Sequence, residues 1–480
     1  MLFSSPIFIF IFLPIIIFLI GLGRKSLHNI ILLFASIFFY AWGGLSQTPI
    51  FIFSIAINYL FGLLIGGAEG RRAKFFLTIG VSINLALLGY FKYFNFLMEN
   101  INALFSMTGA KEFEYSKVTL PIGISFFTFH AMSYIIDVYR RKVSVQRNFL
   151  DLALYISFFP QLIAGPIVRY IDVASQFQKR TLSLEKVSAG MQRFIFGFAK
   201  KVIIANTMAY LADQIFDMPT NQISSGVAWL GIIAYTFQIY FDFSGYSDMA
   251  IGLAKIFGFD FPENFNYPYV AQSIKEFWRR WHISLSTWFR DFLYIPLGGS
   301  KGSNKKTIRN LLIVFFCTGF WHGASWNFVI WGMFHGTFLL IERIGFDKVI
   351  SRFWKPVRIF YTLLVVMIGW VFFRADTLNA AVEYLGKMSF FSSSKQVQMF
   401  LVEYLDAKII FVLLFATLYS FRIYRWFLEW AAQYFKTRNK EKMYEVIFYS
   451  GKLIVSLTLF FITVAYLAAS TYNPFIYFRF

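Results

Sequence analysis

The residues in this sequence best suited to chemistry are histidines set in apolar surroundings. In FCTGFWHGASWNFVIWGMFHG, residues 316–336, His322 is flanked by Trp321, Gly323 and Trp326, and His335 follows further along the same run. An imidazole kept neutral by a low-dielectric surround can act as a base near neutral pH. Gly319, Gly323 and Ala324 are small enough to admit a substrate or another helix. An ionisable side chain inside an apolar run is a functional candidate, so His322 reads as a general base. A helix-packing hydrogen bond is the competing reading. Of the other histidines, His28 follows Arg24 and Lys25 and reads as interfacial, and His130 in FFTFHAMSY reads as structural.

His282 lies in EFWRRWHISLSTWFRDFLYIPLGG, residues 276–299. Read as one helix, this stretch puts Trp281, Leu285, Trp288 and Phe292 on one face. Arg279, His282, Ser286 and Arg290 fall on a second face, and Arg280, Ser284 and Asp291 on a third. Guanidinium groups present planar paired donors and suit a phosphate-rich ligand; anchoring to anionic lipid headgroups is the alternative. Other chemistries have less support. The sequence has no G-x-S-x-G elbow and no Walker loop. His282, His322 and His335 lack the spacing of a zinc motif, so no metal is expected. Gly298 and Gly299 before the basic residues 301–306 could cradle a phosphate or form a plain turn. The single Cys317 excludes an intrachain disulfide.

The elements that must position these groups are membrane helices. The 480 residues are 58% hydrophobic and 15% charged, which does not fit an ordinary soluble chain. Apolar runs occur at residues 7–22, 30–42, 49–66, 75–94, 120–136, 228–241, 311–320, 328–341, 359–373, 409–426 and 447–468. Several are shorter than the roughly 20 residues that cross a bilayer and could be tilted, re-entrant or buried in protein. The first run lacks a basic leader and precedes Arg24 and Lys25, so it reads as a retained helix and not a cleaved signal. The net charge of +20 sits in clusters between the apolar runs. The positive-inside rule assigns those clusters to the cytosol, which gives about ten crossings with both termini outside and makes nucleic acid an unneeded partner. No repeat or linker marks a second domain. Residues 149–292 do not resolve into clean spans. There, FFPQLIAGPIVRY, YFDFSGYSDMAIGLAKIFGFDFPENFNYPY and the His282 stretch interrupt apolar sequence with charge and proline. Such interruptions are tolerated inside protein or beside a water-filled cavity.

Taken in order, those three stretches, FWHGASWNFVIWGMFHG and the terminal NPFIYFRF resemble the membrane-bound O-acyltransferase superfamily, in its bacterial alginate and peptidoglycan O-acetyltransferase branch. The resemblance covers most of the chain. It implies an all-α membrane domain over residues 1–480, with about 10–11 transmembrane helices plus re-entrant and interfacial helices around a central tunnel. It further implies an acetyltransferase of the inner membrane that moves acetyl from cytosolic acetyl-CoA toward an extracytoplasmic polysaccharide. The expected partners are an extracytoplasmic SGNH-hydrolase-like protein, the polysaccharide acceptor that it serves and membrane lipids; no cofactor is bound permanently. His322 matches the near-invariant family histidine, and His282 the second histidine of this branch. Arg279, Arg280, Arg290, Trp281, Trp321, Asn264 and Asp242 form the expected substrate- and donor-binding set. Residues 471–480 would be an extracytoplasmic aromatic motif in which Tyr477 relays the acyl group, or else an interfacial belt. A D-alanyl or other acyl transferase, or a non-catalytic transporter or scaffold, are the alternatives.

Overall fold

The computed structural model describes residues 1–177, 179–389, 403–437 and 441–476. Tyr477 therefore lies outside the described residues. Those described are helical, with no strand among them. Among the described residues, seven helices are long and apolar enough to cross a membrane, and Phe8–Leu22 and Ala407–Ser420 are shorter apolar helices. The protein is a polytopic all-α membrane protein.

Two of the apolar runs do not fold as uninterrupted spans. The run at 120–136 becomes the buried helix Ile124–Tyr139, which starts only after Gly123 adopts a left-handed φ of 70°. The run at 409–426 breaks where Arg422 takes φ 60°, and the chain continues as the exposed amphipathic helix Ile423–Lys436.

The sequence also missed a span. Leu184–Phe216 is a 33-residue apolar helix, hidden from a hydropathy reading by Arg193, Lys200 and Lys201. All three cations have counter-ions. Asp248 pairs with Arg193 at 2.8 Å and with Lys200 at 2.6 Å, and Asp242 pairs with Lys201 at 2.7 Å. A charge inside an apolar helix is tolerated when it is paired in this way.

The chain divides into two compact units. One comprises Met1–Met191, Ala250–Pro262 and Gly323–Ser325, and the other Gln192–Met249, Glu263–His322 and Trp326–Phe480. In the first, Asn58 and Asn84 exchange amide hydrogen bonds at 3.1 and 2.8 Å, so neither buried amide is left unsatisfied.

The second unit carries the candidate site. Its helices, with the two that run into it, are numbered α1 (Leu184–Phe216), α2 (Ser225–Ile256), α3 (Ile274–Arg280), α4 (Ile283–Phe289), α5 (Asn304–His322), α6 (Trp326–Ile341) and α7 (Lys355–Arg374). A π-helical segment at Lys200–Ala205 interrupts α1. α2 runs for 32 residues, and its residues in this unit are almost all buried, as expected of a helix apolar on every side.

Candidate active site

α5 ends on His322 and α6 begins at Trp326, so the pair forms a tight antiparallel hairpin. Two glycines set how closely the helices approach. A Cβ on Gly319 would lie 2.3 Å from the Phe328 carbonyl oxygen, and one on Gly332 would lie 2.3 Å from that of Phe315. No other residue fits at either position. This contact delivers the His322 ring, 7% exposed, into an aromatic box. Trp331 of α6 stands edge-on to it at 5.0 Å and 89°, Trp321 at 5.0 Å and 75°, and Phe373 of α7 at 5.2 Å and 75°. The cavity beside it is lined by Ile239, Phe243, Trp281, His322, Trp331, Trp370, Phe373 and Ile476 and measures about 10 Å³, room for about one water. Apolar walls exclude bulk solvent and strengthen any electrostatic interaction inside. The cavity as it stands holds no acyl thioester, so substrate entry must part these walls.

The single helix predicted through Trp281 is not what forms. α3 stops at Arg280, Trp281 is extended, and His282 is left-handed at φ 42°, ψ 56° before α4 begins. The cause is Asn264, a residue distant in sequence. Its backbone carbonyl accepts from Ile283 N–H at 2.9 Å, and its Oδ1 accepts from Ser284 Oγ at 2.8 Å. The same Oδ1 lies 3.1 Å from His282 Nδ1, while Asn264 Nδ2 donates to Ser247 Oγ at 3.0 Å. With the amide so oriented, His282 must donate from Nδ1 and carry its lone pair on Nε2. Burial pushes the imidazole down, to about 3, so it is neutral at any physiological pH. It packs against Phe243 at 4.6 Å and lies 6.2 Å from Trp321, the residue before His322.

The break also dissolves the expected polar stripe. Arg279 is exposed. Arg280 pairs with Glu276 at 2.8 Å and donates to the Asn266 carbonyl at 3.0 Å, and Arg290 pairs with its neighbour Asp291 at 2.7 Å. These guanidiniums do not converge on the buried His282. Trp281, by contrast, turns inward to line the His322 cavity, and Trp321 touches both imidazoles. His335 is fully buried among Trp278, Trp331 and Phe277, close against Gly369.

Asp242 joins a further group. Besides Lys201 it engages the Ile476 amide, which donates to its Oδ2 at 2.8 Å. Lys201 Nζ in turn donates to the Pro474 carbonyl. Tyr472 donates to Asp213 Oδ2 at 2.5 Å, and Arg374 pairs with Asp213 Oδ1 at 2.8 Å. Phe475 stacks on Tyr246 at 4.9 Å. Sequence reasoning missed Lys201, Asp213 and Arg374. The signal that could have found them is charge within or beside an apolar run.

The family model for the membrane-bound O-acyltransferases matches residues 76–379. The chain belongs to this family. A probable alginate O-acetylase AlgI from Azotobacter vinelandii is 49% identical over 79% of this chain and 76% of its own length. A second, from Pseudomonas putida, is 49% identical over 81% of this chain and 80% of its own. A peptidoglycan O-acetyltransferase from Helicobacter pylori is 37% identical over 87% and 86%. The protein is thus a multi-pass membrane O-acyltransferase, and the box around His322 is described in one member of that family.

Proposed function

We propose that this O-acyltransferase takes acetyl from cytosolic acetyl-CoA and passes it across the bacterial inner membrane for O-acetylation of an extracytoplasmic polysaccharide, alginate-like or peptidoglycan. The observation that carries the reading is Ile476 in the wall of the His322 cavity, one residue before Tyr477. The names of the relatives supply the acetyl group and the glycan class.

In this reading His322 is the general base. It removes the phenolic proton of Tyr477 as that oxygen attacks the thioester carbonyl; the C–O bond forms, the C–S bond breaks, and the proton leaves on the coenzyme A thiol. A phenol with pKa about 10 is a better leaving group than an alkyl alcohol, so the acetyl-tyrosine is primed for a second transfer. The acceptor is the serine of an SGNH-hydrolase-like partner outside the membrane, which then acetylates the polysaccharide. Only the acetyl group crosses, no permanently bound cofactor is needed, and both termini face outward. The exposed Arg279 is available to coenzyme A phosphates.

Labelled acetyl-CoA and membranes holding the protein and its partner test this. His322→Ala should abolish transfer, and Tyr477→Phe should lose both the covalent label and activity. A labelled, active Tyr477→Phe protein removes the relay, and retained transfer in His322→Ala removes the base.

A further inference from the structure

Residues 472–476 are held by charged groups that the acyl transfer itself does not use. The side chains of Lys201 and Asp242 are 3% and 2% exposed. A pair buried so deeply gains little net stability, because desolvation offsets the Coulomb attraction, so its presence calls for another role. Each partner also bonds the backbone of residues 474–476. Asp242 accepts the Ile476 N–H at 2.8 Å, and Lys201 donates to the Pro474 carbonyl. Asn206 accepts from Lys201 at 3.0 Å and donates to Asn473 Oδ1 at 3.2 Å, one turn along α1. The helix that presents Asp242 also walls the cavity: Asp242 adjoins Phe243 and lies one turn from Ile239, and both line it.

We infer that the Lys201–Asp242 pair is a docking clamp that positions the segment Tyr472–Ile476 against the His322 cavity. Lys201 and Asp242 are positioning residues. The inference deepens the relay reading but does not require Tyr477 to carry acetyl, since it concerns only what holds the segment in place.

The test uses a single reporter thiol, Ile476→Cys in a Cys317→Ser background, and the rate of its alkylation by N-ethylmaleimide. Removing either charge alone leaves its partner buried and unmatched, so the informative variant is the double change Lys201→Met with Asp242→Leu. With its thermal midpoint close to the parent's, the reporter should react about tenfold faster or more, as expected when a local segment opens. With Ile476 restored, kcat should fall about 100-fold, the cost of a displacement near 1 Å, while KM for acetyl-CoA stays unchanged. A folded double variant with a protected thiol and parental kcat overturns the clamp. If the double variant does not fold, Asn206→Leu replaces it: faster alkylation supports the clamp and an unchanged rate overturns it. Adding Tyr477→Phe to the reporter separates the two ideas, because loss of the phenol bears only on the relay and leaves the thiol protected whether or not activity falls.

Discussion

His322 and His282 share an aromatic neighbour in Trp321, yet their surroundings equip them for different work. His322 lines the cavity and is the proposed base, so His322→Ala should lower acetyl transfer by about 10²–10⁴-fold, measured with labelled acetyl-CoA. His282 has its Nδ1 committed to Asn264 and an imidazole pushed down to about 3 by burial. It should therefore contribute no acid limb to the rate profile between about pH 5 and 8. Its effect on stability has a defined sign. Between the unfolded value of about 6.5 and the folded one, the unfolded chain binds more protons, so stability is present above that window and lost as pH falls through it. Thermal melts at neutral pH and at about pH 4.5 should show a smaller acid loss for His282→Asn than for the parent. Phe373 is the wall most open to redesign. Phe373→Ala should raise butyryl relative to acetyl transfer by about 10-fold or more, since a methylene in an apolar pocket is worth about 1–3 kcal/mol; equal ratios before and after would remove Phe373 from acyl selection.

At the scale of elements, the site depends on one close helix contact and one helix break. The contact is the Gly319–Gly332 approach of α5 and α6, where no Cβ fits. Gly332→Val should destabilise the protein by about 1–3 kcal/mol through overpacking, seen as a lower thermal midpoint, and should reduce kcat by shifting His322 relative to Trp331. Gly319 was visible in the sequence as a small residue near His322, whereas Gly332 was not singled out; the apolar runs of α5 to α7 were legible because hydropathy reports them directly. The break at Trp281–His282 was not. Periodicity assumes that each backbone amide bonds within its own helix, whereas Ile283 N–H goes instead to Asn264. Nothing local announces a competitor so far away in sequence. For the same reason the sequence picked out Trp281 and Asn264 by motif while putting Trp281 on one continuous helix with Leu285.

For the molecule as a whole, hydropathy made the all-α polytopic class legible but missed one apolar helix, α1. The missed span has a clear origin. Hydropathy treats every charge as a reason to leave the membrane, but Arg193, Lys200 and Lys201 are neutralised by Asp242 and Asp248, more than forty residues further along the chain. That pairing has a consequence for how the protein is made. Alone at a translocon, α1 would carry three cations costing about 2.5–3.5 kcal/mol each near its centre, and the anions that match them emerge only with α2. The two helices should therefore enter the bilayer together, as a hairpin. A chain stopped at residue 224 should leave its α1 outside the lipid in a glycosylation-mapping assay, and a chain continued through residue 262 should bring it in.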